Sequence, residues 1–597
     1  MEIVLIMNTF GEKAHIQQGW IMHNLKNYLT ITELHQYIHQ IYFQLVRTEH
    51  IDTNILKLNW KNLLNILFQN PTAYVKEITL VCKLILNTRD IYVGKGERKL
   101  SYLLLLELYE VNEALGTMVF DCFVEKLPNK TTIGSWKDVK QFADYIVNET
   151  KNKNHGFINY MVEVSNTQLF FDYKALVHTY ANLKHESEEM VKDHVRKHIE
   201  LTLVAKWMPR KGRDNRKYAW LFDKLADNMH SHYFKTVYRS KNKVDVKKLR
   251  KAICKSEMNY RKMVSFVNQH LNVVEILQTS KQTDAIDFTK LPMAARNKYH
   301  KSFLKGSSSN SNSNNSICTS NYLSYLNDSK CIYTNGYLYE IVKQIVKYKL
   351  WEKPTNDLER SIANKMWNSR KRSTPFMENI ALVDMSCSMN GISLYNAIAL
   401  GIFIAEHNVG EFNNKLMMFG DKPLWVSFTN SMDICDKVGY IIQNKNNINS
   451  DLYSVFDLLI DVVKSNHLSN RKLKPLSVTI LSDMQIESNH NLRNYCMYSS
   501  INSMFDSAKI HRPQLIFWNL KHTNGFPIYT VHNYSDVIMF SGFSEKVLFR
   551  FNTNPIKQNH NSNSSKERNN NMFLFNMLSN KRYRFIDIKI ANILMMK

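Results

Sequence analysis

The chain has 597 residues, several times the ~150 of an average domain, so two or three domains are expected. Its 44% hydrophobic content supports ordinary cores and excludes wholesale disorder. Its 78 Lys+Arg against 53 Asp+Glu leave a net charge of +25, which implies a polyanionic partner, most simply nucleic acid, unless the excess is spread evenly. No apolar run approaches the ~18–20 residues that span a bilayer, and the start, Met1-Glu2-Ile3-Val4-Leu5-Ile6, lacks the basic region of a signal peptide. The eight cysteines form no CxxC pair and the histidines no HExxH, so neither a disulfide scaffold nor a zinc centre is expected. A soluble protein of a reducing cytoplasm is expected, neither secreted nor membrane-spanning.

From about residue 13 to about 300 the pattern is helical. Apolar residues recur at three and four in Ile31-Leu34-Ile38-Ile41-Leu45, Leu56-Trp60-Leu63-Leu64-Leu67 and Leu100-Leu103-Leu104-Leu106-Leu108. Paired antiparallel helices, as in an α-solenoid of HEAT-like repeats or an irregular bundle, account for this. Gly94-Lys95-Gly96-Glu97-Arg98 matches no phosphate-loop or dinucleotide fingerprint and predicts an inter-helix turn, with Arg98 and Lys99 free to face a ligand.

The charge is concentrated. Arg196 to Lys262 contains 20 Lys/Arg and 6 Asp/Glu, hence +14 in 67 residues, so the excess is not an even bias. The candidate nucleic-acid-binding residues are Arg210, Lys211, Arg213, Arg216, Lys217, Lys241, Lys243, Lys247, Lys248, Arg250 and Lys251. Interleaved aromatics, Trp207, Tyr218, Trp220, Tyr233, Phe234 and Tyr238, complete a set suited to phosphate neutralisation and base stacking; Trp207 and Trp220 are expected in helix cores. A smaller patch, Arg296, Lys298, His300, Lys301 and Lys305, extends it.

Gly306 to Ser316, GSSSNSNSNNS, is a low-complexity loop, and a second Asn/Ser-rich insertion spans about 553–571. After Pro375 strands alternate with helices. Strands are predicted at Asn379–Val383, Lys415–Phe419, Ser477–Leu481, Gln514–Trp518, Val537–Phe540 and Phe585–Ile588, with helices near Leu394–His407, Leu452–Ser465 and Ile501–Ala508. The alternation implies an α/β domain with a mostly parallel, Rossmann-like sheet, whose ligand crevice lies at the carboxyl ends of its strands.

At such an end stands Asp384-Met385-Ser386-Cys387-Ser388, one carboxylate and two hydroxyls in a tight loop: hard oxygen ligands of the kind Mg²⁺ prefers. Ser450, before the next helix, and Asp483, ending the next strand of the alternation, complete a candidate metal set of Asp384, Ser386, Ser388, Ser450 and Asp483. No G-x-S-x-G elbow or placed histidine supports a hydrolytic role, so no catalytic residue is expected and the protein is expected not to be an enzyme.

This set resembles the metal-ion-dependent adhesion site of von Willebrand factor A domains, with Ser450 where those domains usually carry Thr. Further signposts are Arg89-Asp90, Gly94 to Arg98, Ala205-Lys206-Trp207-Met208-Pro209 and Leu291-Pro292-Met293-Ala294. Others are Ile480 to Met484, Phe517-Trp518-Asn519-Leu520 and Ser541-Gly542-Phe543-Ser544. In order, they are similar to an uncharacterised-domain family of plants, fungi and giant DNA viruses. That family joins a TROVE-like helical region to a von Willebrand A domain, with distant similarity to the Ro ribonucleoprotein autoantigen. The resemblance implies a TROVE-like domain over 1–305, a Ser/Asn loop at 306–317, a helical connection over 318–374 and a von Willebrand A-like domain over 375–597. It also implies RNA held by the helical part and an acidic protein ligand at the Mg²⁺ site, in the host cytoplasm or a virion if the source is viral. The alternative is a protein-interaction scaffold, virion-packaged in that setting, without a nucleic-acid role.

Overall fold

In the carboxy-terminal half, short runs rich in Val, Ile, Leu, Met and Phe form a six-stranded sheet. Its strands are β1 Asn379–Asp384, β2 Lys415–Phe419, β3 Leu424–Ser427, β4 Ser477–Ser482, β5 Gln514–Asn519 and β6 Val537–Ser541. The structure is a computed structural model that describes residues 30–47, 53–126, 132–234, 246–304, 313–327, 336–370, 379–445, 452–465, 476–484, 497–522, 537–548 and 569–595, except 272, 292, 353–356 and 421. The strand order is β3-β2-β1-β4-β5-β6, parallel throughout except for the antiparallel β2–β3 pair at one edge.

β1 and β4 are buried at every position, as strands covered on both faces must be. The pleat sends Ile380, Leu382, Val478, Ile480, Leu515 and Phe517 into one core with Val455, Phe456 and Leu459 of the helix Leu452–Ser465 and Ile501 and Phe505 of the helix Met497–Ser507. On Val383 and Leu481 packs the helix Ile392–His407, so closely that a Cβ on Gly401 would lie 2.5 Å from Val383 Cγ2. Five expected strands are present, and the helices expected near 394–407, 452–465 and 501–508 lie within a few residues of their predicted bounds.

Three elements differ from expectation, the first being the end of the expected Ser/Asn loop, where 313–317 open the helix Ser313–Asn327. Phe585–Ile588 is not a strand: Ile586–Met595 is a helix, and its buried residues Ile586, Ile590 and Leu594 recur at four, the helical period. The edge strand β3 was not anticipated; only one of its four residues is fully buried.

The chain divides into two compact units, one drawn from residues 1–107 and 332–597 and the other from 108–331. This differs from the expected break between 1–305 and 375–597, because the first helices belong with the sheet. The helix Ile31–Gln44 packs against β6, the edge that would otherwise be open. Asn519 Nδ2 donates to Phe43 O at 3.1 Å and Ser541 Oγ to Tyr42 O at 2.8 Å. Arg582 Nε meets Asp90 Oδ2 at 2.7 Å, tying the helix Val75–Arg89 to the carboxy-terminal segment.

At the centre of this junction is Lys95. It is 3% exposed, and its Nζ donates to Tyr42 O, to Leu45 O at 3.1 Å and to Ser541 Oγ at 2.5 Å. Burial holds its pKa well below the ordinary lysine value, with Glu97 opposing the shift. Glu97 in turn accepts both contacts of Arg47 Nε, at 2.8 and 2.9 Å, and Arg47 sits 4.9 and 5.0 Å from the ring centroids of Tyr337 and Phe543.

The glycines around Lys95 are sterically required. A Cβ on Gly94 would lie 2.0 Å from Asn87 O, and Gly96, at φ +68°, would place one 1.9 Å from the Tyr337 hydroxyl. The segment is thus an inter-helix turn, as expected, between the helices Val75–Arg89 and Arg98–Val111, with Arg98 and Lys99 exposed.

The second unit is all-helical among its described residues. Its longest helix, Gly156–Asn182, packs against Lys137–Thr150, Ala219–Met229 and Val246–Gln269. Phe120, Phe142 and Phe157 form an aromatic core, and Tyr109 stacks on Phe157 at 4.1 Å. The fold class, a helical region plus an α/β region with a mostly parallel sheet, is as expected. No described helix is long and apolar enough to cross a membrane.

Lys95→Met removes the donor from two buried carbonyls and leaves them in place. It is expected to lower the unfolding free energy of the sheet-bearing unit by about 3 kcal/mol, read by denaturant titration.

Candidate functional site

The sheet's order reverses between β1 and β4: from β1 the chain moves outward to β2, and β4 returns to the opposite side. The crevice at the carboxyl ends of these two strands is where such sheets hold ligands, and it receives Asp384 from β1 and Ser482-Asp483 from β4. Asp384 is fully buried; its Oδ1 accepts the Ser386 amide at 2.9 Å and its Oδ2 the Ser482 hydroxyl at 2.6 Å. The Ser386 and Ser388 hydroxyls converge to 3.0 Å, and Met385 N is anchored to Phe419 O at 2.9 Å. Asp483 is buried beside them.

Burial pushes the Asp384 carboxyl above its ordinary value. The nearby Asp483 charge adds to this, while hydrogen bonds from Ser482 and Ser386 oppose it. The structure brings Asp384, Ser386, Ser388 and Asp483 to one crevice; Ser450 lies outside the described residues. Among the described residues no three His, Cys, Asp or Glu side chains cluster as a metal site. The set here is two carboxylates and two hydroxyls, hard donors that fit a small divalent cation, whose charge would offset the buried acidity.

Sequence reasoning missed two cations at the rim. Lys521, two residues beyond β5, donates to Ser388 O at 2.5 Å, and Lys445 donates to Asn390 Oδ1 at 2.5 Å. Burial lowers the pKa of Lys445. Neither lysine belongs to a recognisable motif; only the packing of the two loops on Ser388 and Asn390 brings them there.

The basic candidates lie in the second unit. Arg210, Arg216, Lys247, Lys248, Arg250 and Lys251 are exposed. Lys211 is bound instead by Asp223 at 2.7 Å and Glu257 at 2.8 Å, and Lys217 by Asp144 at 2.6 Å. Arg213 begins a short 3-10 turn, Arg213–Tyr218; its side chain, and Lys241 and Lys243 altogether, lie outside what is described.

The 24-residue helix Val246–Gln269 explains the pattern. Ala252, Ser256, Tyr260, Val264 and Val267 form its buried face, leaving Lys247, Lys251, Lys255 and Lys262 along the exposed one. Trp207 and Trp220, expected in cores, are partly exposed instead, and Lys153 Nζ lies 5.9 Å from the Trp220 centroid. In the smaller patch Arg296 is buried and donates to Leu291 O at 3.0 Å, Lys298 and Lys301 are solvent-facing, and Lys305 lies outside the described residues.

Residues 378–590, which span the Asp384 crevice, match a family described as a domain of unknown function (DUF7788). Over 500 residues the chain is 26% identical to uncharacterized protein L728 of Acanthamoeba polyphaga mimivirus, an alignment that covers 80% of this chain and 77% of the viral one. Among solved structures it is similar to the RO (RSR) protein of Deinococcus radiodurans, with 12% sequence identity and a TM-score of 0.36 over 86% of this chain and 97% of that one.

Because the folded pKa of Asp384 is raised, its ionised form opposes folding at neutral pH. Asp384→Asn is expected to raise the thermal midpoint of the metal-free protein by about 1–4 °C at pH 7. The gain should fade as pH falls through the raised pKa toward the unfolded one, where the native carboxyl is also neutral; a scan in chelator at a series of pH values measures it.

Proposed function

We propose that the chain is a non-enzymatic RNA-binding protein whose basic helical unit holds RNA and whose α/β unit binds a protein partner. The observation that carries the RNA reading is the exposed cationic face of Val246–Gln269. Lys247, Lys251 and Lys255 follow one another at intervals of four, a spacing at which like charges repel along a helix. Glu257 is the only acid in that helix and is already engaged by Lys211 and Arg261. A phosphate backbone lying along the row would meet one cation per helical turn.

The α/β unit is proposed to be of von Willebrand A type, with Mg²⁺ held by Asp384, Ser386, Ser388, Ser450 and Asp483 and an acidic side chain of the partner completing the coordination. The convergence of the two serine hydroxyls above a buried carboxylate supports this reading. When bound, the ion would supply a Lewis-acidic anchor for a carboxylate. Lys521 and Lys445 at the rim add attraction for the same acidic ligand.

Filter binding of single-stranded and structured RNA should give affinities that fall with salt, with a log–log slope of about −3 or steeper. Replacing Lys247, Lys248, Arg250 and Lys251 together by Glu should weaken binding at least about 100-fold and flatten the slope by about 3; salt-insensitive binding contradicts the reading. Millimolar Mg²⁺ should raise the thermal midpoint of the native chain by about 2 °C or more and leave that of Asp384→Asn unchanged.

A further inference from the structure

The helix Lys137–Thr150 begins with a charge arrangement that its own stability does not favour. Lys137 and Lys140 occupy its first turn, the positive end of the helix dipole, where cations are disfavoured. Asp138, between them, accepts the Ser135 amide at 2.7 Å and so already serves the helix start.

The two lysines converge instead on Trp207, which ends the short helix Val204–Trp207 some seventy residues later. Lys137 Nζ lies 5.2 Å and Lys140 Nζ 5.1 Å from its ring centroid, with Lys206 Nζ at 5.4 Å. Lys140 Nζ also lies 5.8 Å from the Tyr218 ring. Arg210, three residues past Trp207, acts on the same ammonium. Burial, then the charges of Lys137 and Arg210, lower the pKa of Lys140.

Carboxylates neutralise the outer members of this group: Glu275 meets Lys206 at 3.2 Å and Asp144 meets Lys217 at 2.6 Å. Among the described residues none forms an ion pair with Lys140 or Arg210. The negative face of the indole draws the ammonium groups of Lys137 and Lys140 to one place, and the charges of Lys140 and Arg210 act on each other there with no carboxylate paired to either among the described residues.

We propose that Lys137 and Lys140, gathered over Trp207, form a phosphate subsite for the RNA backbone together with Arg210. The subsite rests on the RNA reading above and deepens it, since it adds a defined contact that the exposed helix face alone does not provide. It is separate in sequence from the Lys247 to Lys251 group and lies in the same helical unit.

Limited acetylation of the full-length native chain, mapped by peptide mass spectrometry, tests it. Labelling is compared without additive, with tripolyphosphate, and with a twelve-nucleotide oligouridylate whose binding is scored in parallel by filter retention. Both additives should reduce labelling of Lys137 and Lys140 at least about five-fold and leave the exposed Lys349 of the other unit unchanged. Lys140→Gln should flatten the salt slope of oligouridylate binding by about 0.7.

Protection by tripolyphosphate without retention of the oligonucleotide upholds the phosphate subsite and removes RNA as its source. Retention of the oligonucleotide with Lys137 and Lys140 labelled as before upholds RNA binding and overturns the subsite. Unchanged labelling with both additives, or protection that includes Lys349 equally, also overturns it.

Discussion

A buried ammonium, that of Lys95, organises the larger unit. Removing a lysine from water is unfavourable unless its donors are satisfied, and here two carbonyls at the end of the helix Ile31–Gln44 and the hydroxyl of Ser541 at the end of β6 satisfy them. The first described helix is thereby fixed to the last strand of the sheet, although some 500 residues separate them. The requirement is reciprocal. Gly94 and Gly96 must lack side chains so that the turn can enter between Asn87 and Tyr337, and Gly542, at φ +109°, packs against the Lys95 side chain. The Glu97 carboxylate opposes the effect of burial on Lys95, Arg47 pairs with Glu97 in turn, and the Tyr42 ring lies 3.6 Å from the Lys95 ammonium.

This constraint explains why motifs from distant parts of the chain form one set. Asp90 pairs with Arg582 and receives the Tyr583 hydroxyl at 3.0 Å. Trp518 Nε1 donates to Gly542 O at 2.7 Å, and Asn519 holds Phe43 O. These residues are architectural. They join the amino-terminal helices to the sheet and leave chemistry to two other places, the Asp384 crevice in this unit and the cationic helices in the other. Opposite charge logic governs the two. The crevice concentrates buried carboxylates that a cation would relieve, and the helical unit concentrates ammonium and guanidinium groups that a polyanion would relieve.

Much of the α/β part was legible because parallel strands covered on both faces are predominantly apolar: Ile380 to Val383 is so throughout, and Val478 to Leu481 is interrupted only by Thr479, whose hydroxyl donates to Asn379 Oδ1. The D-x-S-x-S loop was legible for the same reason: a polar run directly after a buried strand has few other places to be. Phe585–Ile588 was misread because four residues alternating around Asp587 fit a strand, whereas the helical period shows only when Ile590 and Leu594 are included. The edge strand β3 carries too little burial to leave a pattern. The division of the chain was not legible at all, because it depends on pairings such as Lys95 with Ser541 that no local periodicity encodes. The basic segment was visible as composition, but not which charges are neutralised: Lys211 and Lys217 have acidic partners from other helices, and Lys137 and Lys140 meet Trp207 only in three dimensions.

The central claim is that a polyanion binds the helical unit through those cations and leaves the Asp384 crevice for a different ligand. Ultraviolet cross-linking of a uridine-rich RNA to the native chain, with the cross-linked peptides identified by mass spectrometry, tests it most directly. Adducts are expected within 137–150, 204–220 and 246–262 and none around 384–390 or 445. Adducts concentrated at the Asp384 crevice, or absent from the helical unit, would contradict it.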